Sequence, residues 1–244
     1  MALKSFNVFD EIDFSHSFDG MVIDGDRVID EEVNAGDLQV TGNAKFMEEV
    51  DTDSVEIIGT AEFRTFATCD DLNVSGSAVF KDEVVAESIV ISGGATINGK
   101  VNADVLIVEG KLKVNSKVNV LSIGISGYMN CIHRVYFDKC HVKGSLVVSD
   151  LVKGIDIKFK SSAKSSLKRL VADNITVAGK PSEAAYILTC DEADCGIADM
   201  EYAKIDHLMC DEAKIGRGCR IGLLEYRERA AISKDAFVEK IVKI

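Results

Sequence analysis

Histidines, thiols and stacked carboxylates are the side chains with which this chain could bind a metal, move a proton or attack a substrate. Four histidines occur: His16, His133, His141 and His207. His133 and His141 lie eight residues apart, the first at a corner and the second at an outward position of the repeat described below. A solvent-facing wall explains them better than a metal or base site. Of the seven cysteines, Cys69, Cys131 and Cys140 occupy inward positions of that repeat, where cysteine behaves as a small hydrophobe. Cys190, Cys195, Cys210 and Cys219 are separated by five, fifteen and nine residues. Structural zinc uses at least one tight pair such as C-x2-C, so core packing is the reading for these as well.

Asp53, Asp70, Glu87 and Asp104 recur at every seventeenth position, and Asp138 follows one repeat after Leu121. Such a column could hold cations or sugar, but acid–base chemistry would need a groove and a converging partner. Aspartate at a turn, accepting backbone hydrogen bonds, is the simpler reading. Gly-rich phosphate loops and a Ser-centred nucleophile elbow are not found, so no enzyme activity, cofactor or metal is expected. The segment 157–170 carries Lys158, Lys160, Lys164, Lys168 and Arg169, with no acid between Asp156 and Asp173. It reads as a solvated basic loop, or as a surface for an anionic membrane or an acidic partner. Leu3, Phe6, Val8 and Phe9 would offer a weak apolar anchor at the start of the chain.

The elements that position these residues follow from a repeat. Glycine stands at 25, 42, 59, 76, 93, 110, 127 and 144, a constant step of seventeen. Taking each glycine as offset zero, the columns at −4, −2, +2, +4, +8 and +10 hold 45 apolar residues of 48, about twice what composition gives. Offsets −3, −1, +1 and +3 hold 8 of 32, so the pattern is strand alternation with period two. Three short sides and three corners per repeat describe an all-β chain wound as a triangular parallel β-helix. The glycine is expected inside the alternation, where a missing side chain lets the backbone turn.

Stacked windings place like on like. Phe46, Phe63 and Phe80 should form an internal stack beside an alanine column, with Val74, Ile91 and Val108 in another and Gly59, Gly76 and Gly93 at the corners. Regular windings are expected over 25–156, after an N-terminal cap over 1–24. Beyond them Ser161 replaces the glycine, and Ala163 keeps the +2 position. Ile175 and Val177 resume one residue late, which a bulge can absorb. Two related segments, LTCDEADCG (188–196) and LMCDEAKIG (208–216), suggest longer, less regular windings to residue 232, with a tail over 233–244.

Charge narrows the partners. The net charge is −12, and residues 1–100 hold 6 basic and 21 acidic residues, leaving 22 and 19 for 101–244. That balance excludes general duplex binding, so no nucleic acid is expected. No stretch of about 18 apolar residues is present, and the odd cysteine count does not suit a secreted disulfide framework. The expected setting is a reducing, cytoplasmic one, with optional membrane association.

Consecutive units such as LNVSGSAVFKDEVVAES (72–88), IVISGGATINGKVNADV (89–105) and LIVEGKLKVNSKVNVLS (106–122) resemble the bactofilins, bacterial cytoskeletal proteins. The resemblance covers 36–155. It implies a right-handed β-helix, polymerisation end to end into filaments, and scaffolding of cell shape or of client proteins, often near the membrane. The short core with Pro-rich tails seen in that family is missing, and a long C-terminal extension is present. If the extension caps the helix, dimers or short oligomers are expected instead. The alternative class is a β-solenoid enzyme or binding module for a carbohydrate or acyl substrate, which should show a lateral groove lined by acids or histidines.

Overall fold

The alternation is realised as twenty-two strands, from β1 (Gly20–Ile23) to β22 (Phe237–Lys243), all paired in parallel, with no helix among the described residues. The structure is a computed structural model and describes residues 20–181 and 186–244. Most of the expected N-terminal cap therefore lies outside the described residues, as do His16 and the apolar positions 3–9. Within 20–24, Gly20–Ile23 is already a strand. The chain winds as a β-solenoid of about 13 turns.

Each regular winding has three sides. In the second, the first side is Asp37–Val40, the second side is β4 (Asn43–Phe46) and the third begins β5 (Val50–Ile57). The eight-residue strands run from a third side into the next first side through a one-residue bend. Paired residues differ by seventeen in number from Gly20↔Asp37 through Val142↔Phe159. The six inward columns form one continuous core. Phe46, Phe63 and Phe80 stack with ring centroids 4.6 and 4.5 Å apart and interplanar angles of 13° and 11°. Val74, Ile91 and Val108 are buried.

The glycines are not inward. They sit at the corner between first and second sides, where the Ile57 carbonyl accepts the N–H of both Ser75 and Gly76 at 2.9 Å. A Cβ on Gly76 would lie 2.1 Å from the Gly59 carbonyl oxygen, and Gly59 and Gly93 meet the same obstacle from the winding before. The residue is required by the close approach of stacked backbones rather than by core volume.

Beyond residue 148 the winding length changes. The step is nineteen at Val148↔Leu167, eighteen at Val152↔Leu170 and twenty-three at Leu167↔Cys190. It falls to fifteen at Cys195↔Cys210, then rises to sixteen at Leu208↔Leu224 and seventeen at Leu224↔Ile241. The one-residue delay of Ile175 and Val177 comes from two extra residues at the 161–164 link, of which a bulge between Val148 and Leu151 on the preceding winding takes back one. Ser165, not Ala163, takes the inward position, fully buried with its hydroxyl accepting the Leu146 N–H at 3.1 Å. Ser161 holds the corner by donating toward the Lys143 and Gly144 carbonyls.

Two further expectations are corrected. The windings around 188–215 are shorter than the regular ones, not longer. Their inward residues, 188, 190, 193, 195, 198, 200, 203, 205, 208, 210, 213 and 215, recur every five along two unbroken turns. Three five-residue sides make a winding of fifteen. The echo between 188–196 and 208–216 is thus four sides, and Leu208 stacks on Ala193 rather than on Leu188. Residues 237–243 are not a tail either: they are β22, paired with β21 (Arg220–Ile232).

Candidate functional site

Among the described residues, the core is least covered at the layer formed by β21 and β22. Inward columns that are closed elsewhere by the following winding end here at Ile232, Val238 and Ile241, which stack on Ile215, Ile221 and Leu224. Those three supports are buried, whereas Ile232 and Ile241 are 37% and 51% exposed. Ile244 and Phe237 are exposed beside them, with Arg220 over the Phe237 ring at 5.2 Å. Among the described residues no strand pairs with the outer edge of β22, so its backbone donors and acceptors on that side are open.

A lateral groove of about 580 Å³ runs along the corner between third and first sides. Its floor is Phe137, whose ring takes the space above Gly154: a Cβ there would lie 2.1 Å from the ring. Its rim alternates Asp104, Leu121, Asp138, Ile155 and Asp173, one per winding. Successive acids are therefore two windings apart, about 10 Å, at the far end of the separation that paired catalytic carboxylates use. The rest of the acidic column, Asp53, Asp70 and Glu87, is exposed at the same corner. No backbone N–H donates to these carboxylates among the described residues. The corner is a bend inside a strand rather than a turn that needs capping.

The basic segment is not a loop. Lys158 and Lys160 end β17 (Ser145–Lys160) on the outward side of a first side, next to Lys139, His141 and Lys143 of the previous winding. Lys164 lies in the short link 161–164, whose carbonyl accepts from the Ser145 hydroxyl at 2.6 Å. Lys168 and Arg169 lie in β18 (Ser165–Ala178) at the next corner, with Arg169 3.8 Å from Glu192. The solenoid thus divides five cations that are close in sequence.

His133 is exposed in a bend and His141 on a strand, and His207 hydrogen-bonds Glu225 at 2.8 Å between windings. Among the described residues no group of three or more His, Cys, Asp or Glu is arranged to hold a metal ion. All seven cysteines are free and buried. Burial pushes the thiols of Cys69 and Cys190 up to about 12 and that of Cys131 to about 11. Cys195 and Cys210 face each other in register, and a thiol–thiol hydrogen bond raises the first and lowers the second. Compared with known proteins, the chain matches no family model, no curated protein and no solved structure.

Proposed function

We propose that this protein is a self-assembling scaffold that polymerises through end-to-end stacking of its β-solenoid and organises cell shape or the placement of client proteins. The bactofilin-like repeat motivates the cellular role. The observation that carries assembly is the end layer: Ile232, Val238 and Ile241 in core columns that no winding covers among the described residues, beside a strand edge unpaired among them. Covering that layer with a second copy removes apolar surface from water and completes a ladder of parallel hydrogen bonds. No cofactor is needed for either. The setting proposed is cytoplasmic, with membrane contact as an option rather than a requirement.

Negative-stain electron microscopy of the full chain tests this reading. Rods longer than one solenoid, about 60 Å for 13 windings, are expected, and Ile241→Asp should shorten them to single particles. Single particles at every concentration and salt would overturn it. The groove favours a second reading, a binding module or enzyme for a carbohydrate or acyl chain. Retention of the protein on a polysaccharide, lost on Phe137→Ala with assembly unchanged, would establish that instead.

A further inference from the structure

The outward residues of the first side change character along the solenoid. Near the N-terminal end they include Asp37, Glu56 and Asp71. In the middle they are Ser88, Val90, Val105, Ile107, Ser122 and Gly124, with Val105 and Ile107 each 37% exposed. Further on they become Lys139, His141, Lys143, Lys158 and Lys160, and the one acid among them, Asp156, accepts from the Asn174 amide at 2.8 Å. Some cations at the other sides and corners are engaged across windings, as in Arg134–Asp150, Lys214–Asp199, Arg227–Asp211 and Arg229–Glu212, while others such as Lys45, Lys111 and Lys113 on the second side are in no ion pair among the described residues. No ion pair among the described residues engages Lys139, Lys143, Lys158, Lys160 or Asp71.

We propose that this side is a docking surface for a second copy of the chain, packed face to face about a two-fold axis that runs parallel to the strands through the Val105–Ile107 winding. That axis reverses the order of windings and keeps positions along the strand. It sets Asp71 opposite Lys139, and Glu56 opposite Lys158, each occurring twice by symmetry. Val105 and Ile107 meet their own copies. Val90 meets Gly124.

Gly124 is the independent observation. It is an outward residue, next to last in β13 (Val118–Ile125) and two residues before the corner at Ser126 and Gly127, and a Cβ there would meet nothing within 4 Å. Neither the turn chemistry nor the stacking that demands Gly76 applies to it. A glycine inside a strand marks a place where something else approaches closely, and in this arrangement the something is Val90 of the second copy. Glu109, at the edge of the face, meets its own copy near solvent, where its carboxylate accepts from the Ser92 hydroxyl at 2.9 Å. One screened like-charge contact opposes four unlike ones. The alternative axis, parallel to the solenoid, would set acid on acid and base on base, so charge selects the antiparallel pair. The face spans about 40 Å by 15 Å, burying about 1,200 Å² in the pair, at the lower edge of specific interfaces.

This pairing is lateral, and it shares with the end-to-end reading only the choice of a second copy as partner. Two doubly reversed variants of the full chain separate the possibilities: Glu56→Lys with Asp71→Lys makes the paired positions all basic, and Lys139→Glu with Lys158→Glu makes them all acidic. In sedimentation at low salt, each carrying Ile241→Asp to block end stacking, each alone should lose pairing by about tenfold or more in affinity. Mixed one to one, they should pair with each other. Ile107→Cys should cross-link to its own copy under mild oxidant, while Val28→Cys, outward on the second side, should not. Unchanged self-pairing of either variant, or a mixture that stays monomeric, overturns the proposal. So does a result in which Lys139→Glu with Lys158→Glu abolishes binding to vesicles of anionic phospholipid but leaves pairing intact, since the face would then serve a membrane.

Discussion

From Asp26 to Val148 a winding takes seventeen residues and keeps a glycine at one corner, whereas from Leu188 to Ile215 it takes fifteen and has no glycine column. Both close the same triangle with two inward residues per side. The difference lies in the corners. In the shorter turns every corner spends two residues between inward positions, and the strand runs through it. In the longer turns two corners carry one more residue each, and at one of them the extra backbone is pressed against the winding before. Glycine is the consequence of that crowding, so its period reports the longer corner and not the fold itself.

The sharpest way to break this comparison is a methyl group. Gly76→Ala places a Cβ about 2 Å from a backbone carbonyl that cannot yield, and is expected to cost more than about 4 kcal/mol or to prevent folding. Gly124→Ala meets open space and should leave the denaturation midpoint of the isolated chain within about 0.5 kcal/mol. Equal effects at both positions would contradict the corner account. Next in size, Phe63→Ala removes the middle ring of a fully buried stack and should destabilise by about 3–5 kcal/mol in chemical denaturation.

The thiols give a pH dependence with a definite sign. Raised thiols hold their protons more tightly in the folded chain than at the ordinary value of about 9. Their contribution is intact below pH 9 and is lost as pH rises toward 11–12, where the unfolded chain ionises first. All three thiols of the long windings, Cys69, Cys131 and Cys140, are raised by burial, whereas within 188–215 the lowered Cys210 offsets the raised Cys195. Hydrogen exchange across pH 8–11 should therefore show 50–148 loosening before 188–215. The smallest effect is a gain. Thr52 is buried at an inward position with its hydroxyl unpaired among the described residues, and Thr52→Val should stabilise by about 1 kcal/mol.

The regular windings are legible in sequence because two signals agree there. Apolar alternation sets which residues point inward, and the glycine period sets the length of a turn. Where glycine disappears only the alternation remains, and a five-residue side reads as a vague similarity between segments four sides apart. The split of Lys158 and Lys160 from Lys168 and Arg169 was hidden for a related reason. Proximity along the chain groups 157–170 together, while the solenoid groups residues one winding apart. Lys139, His141 and Lys143 belong beside Lys158 and Lys160 in that frame, and their offsets were readable. The uncovered end layer was not readable, because 237–243 has too few residues to establish a phase by itself, and its pairing with Arg220–Tyr226 supplies one.

Assembly through the end layer is best tested by hydrogen exchange of residues 237–243 in the full chain as concentration rises over about two decades. Stacking of a second copy on β22 should slow exchange there by about tenfold or more, with Val50–Ile57 unchanged. Exchange at 237–243 that stays fast while longer particles accumulate would contradict end-to-end stacking through β22.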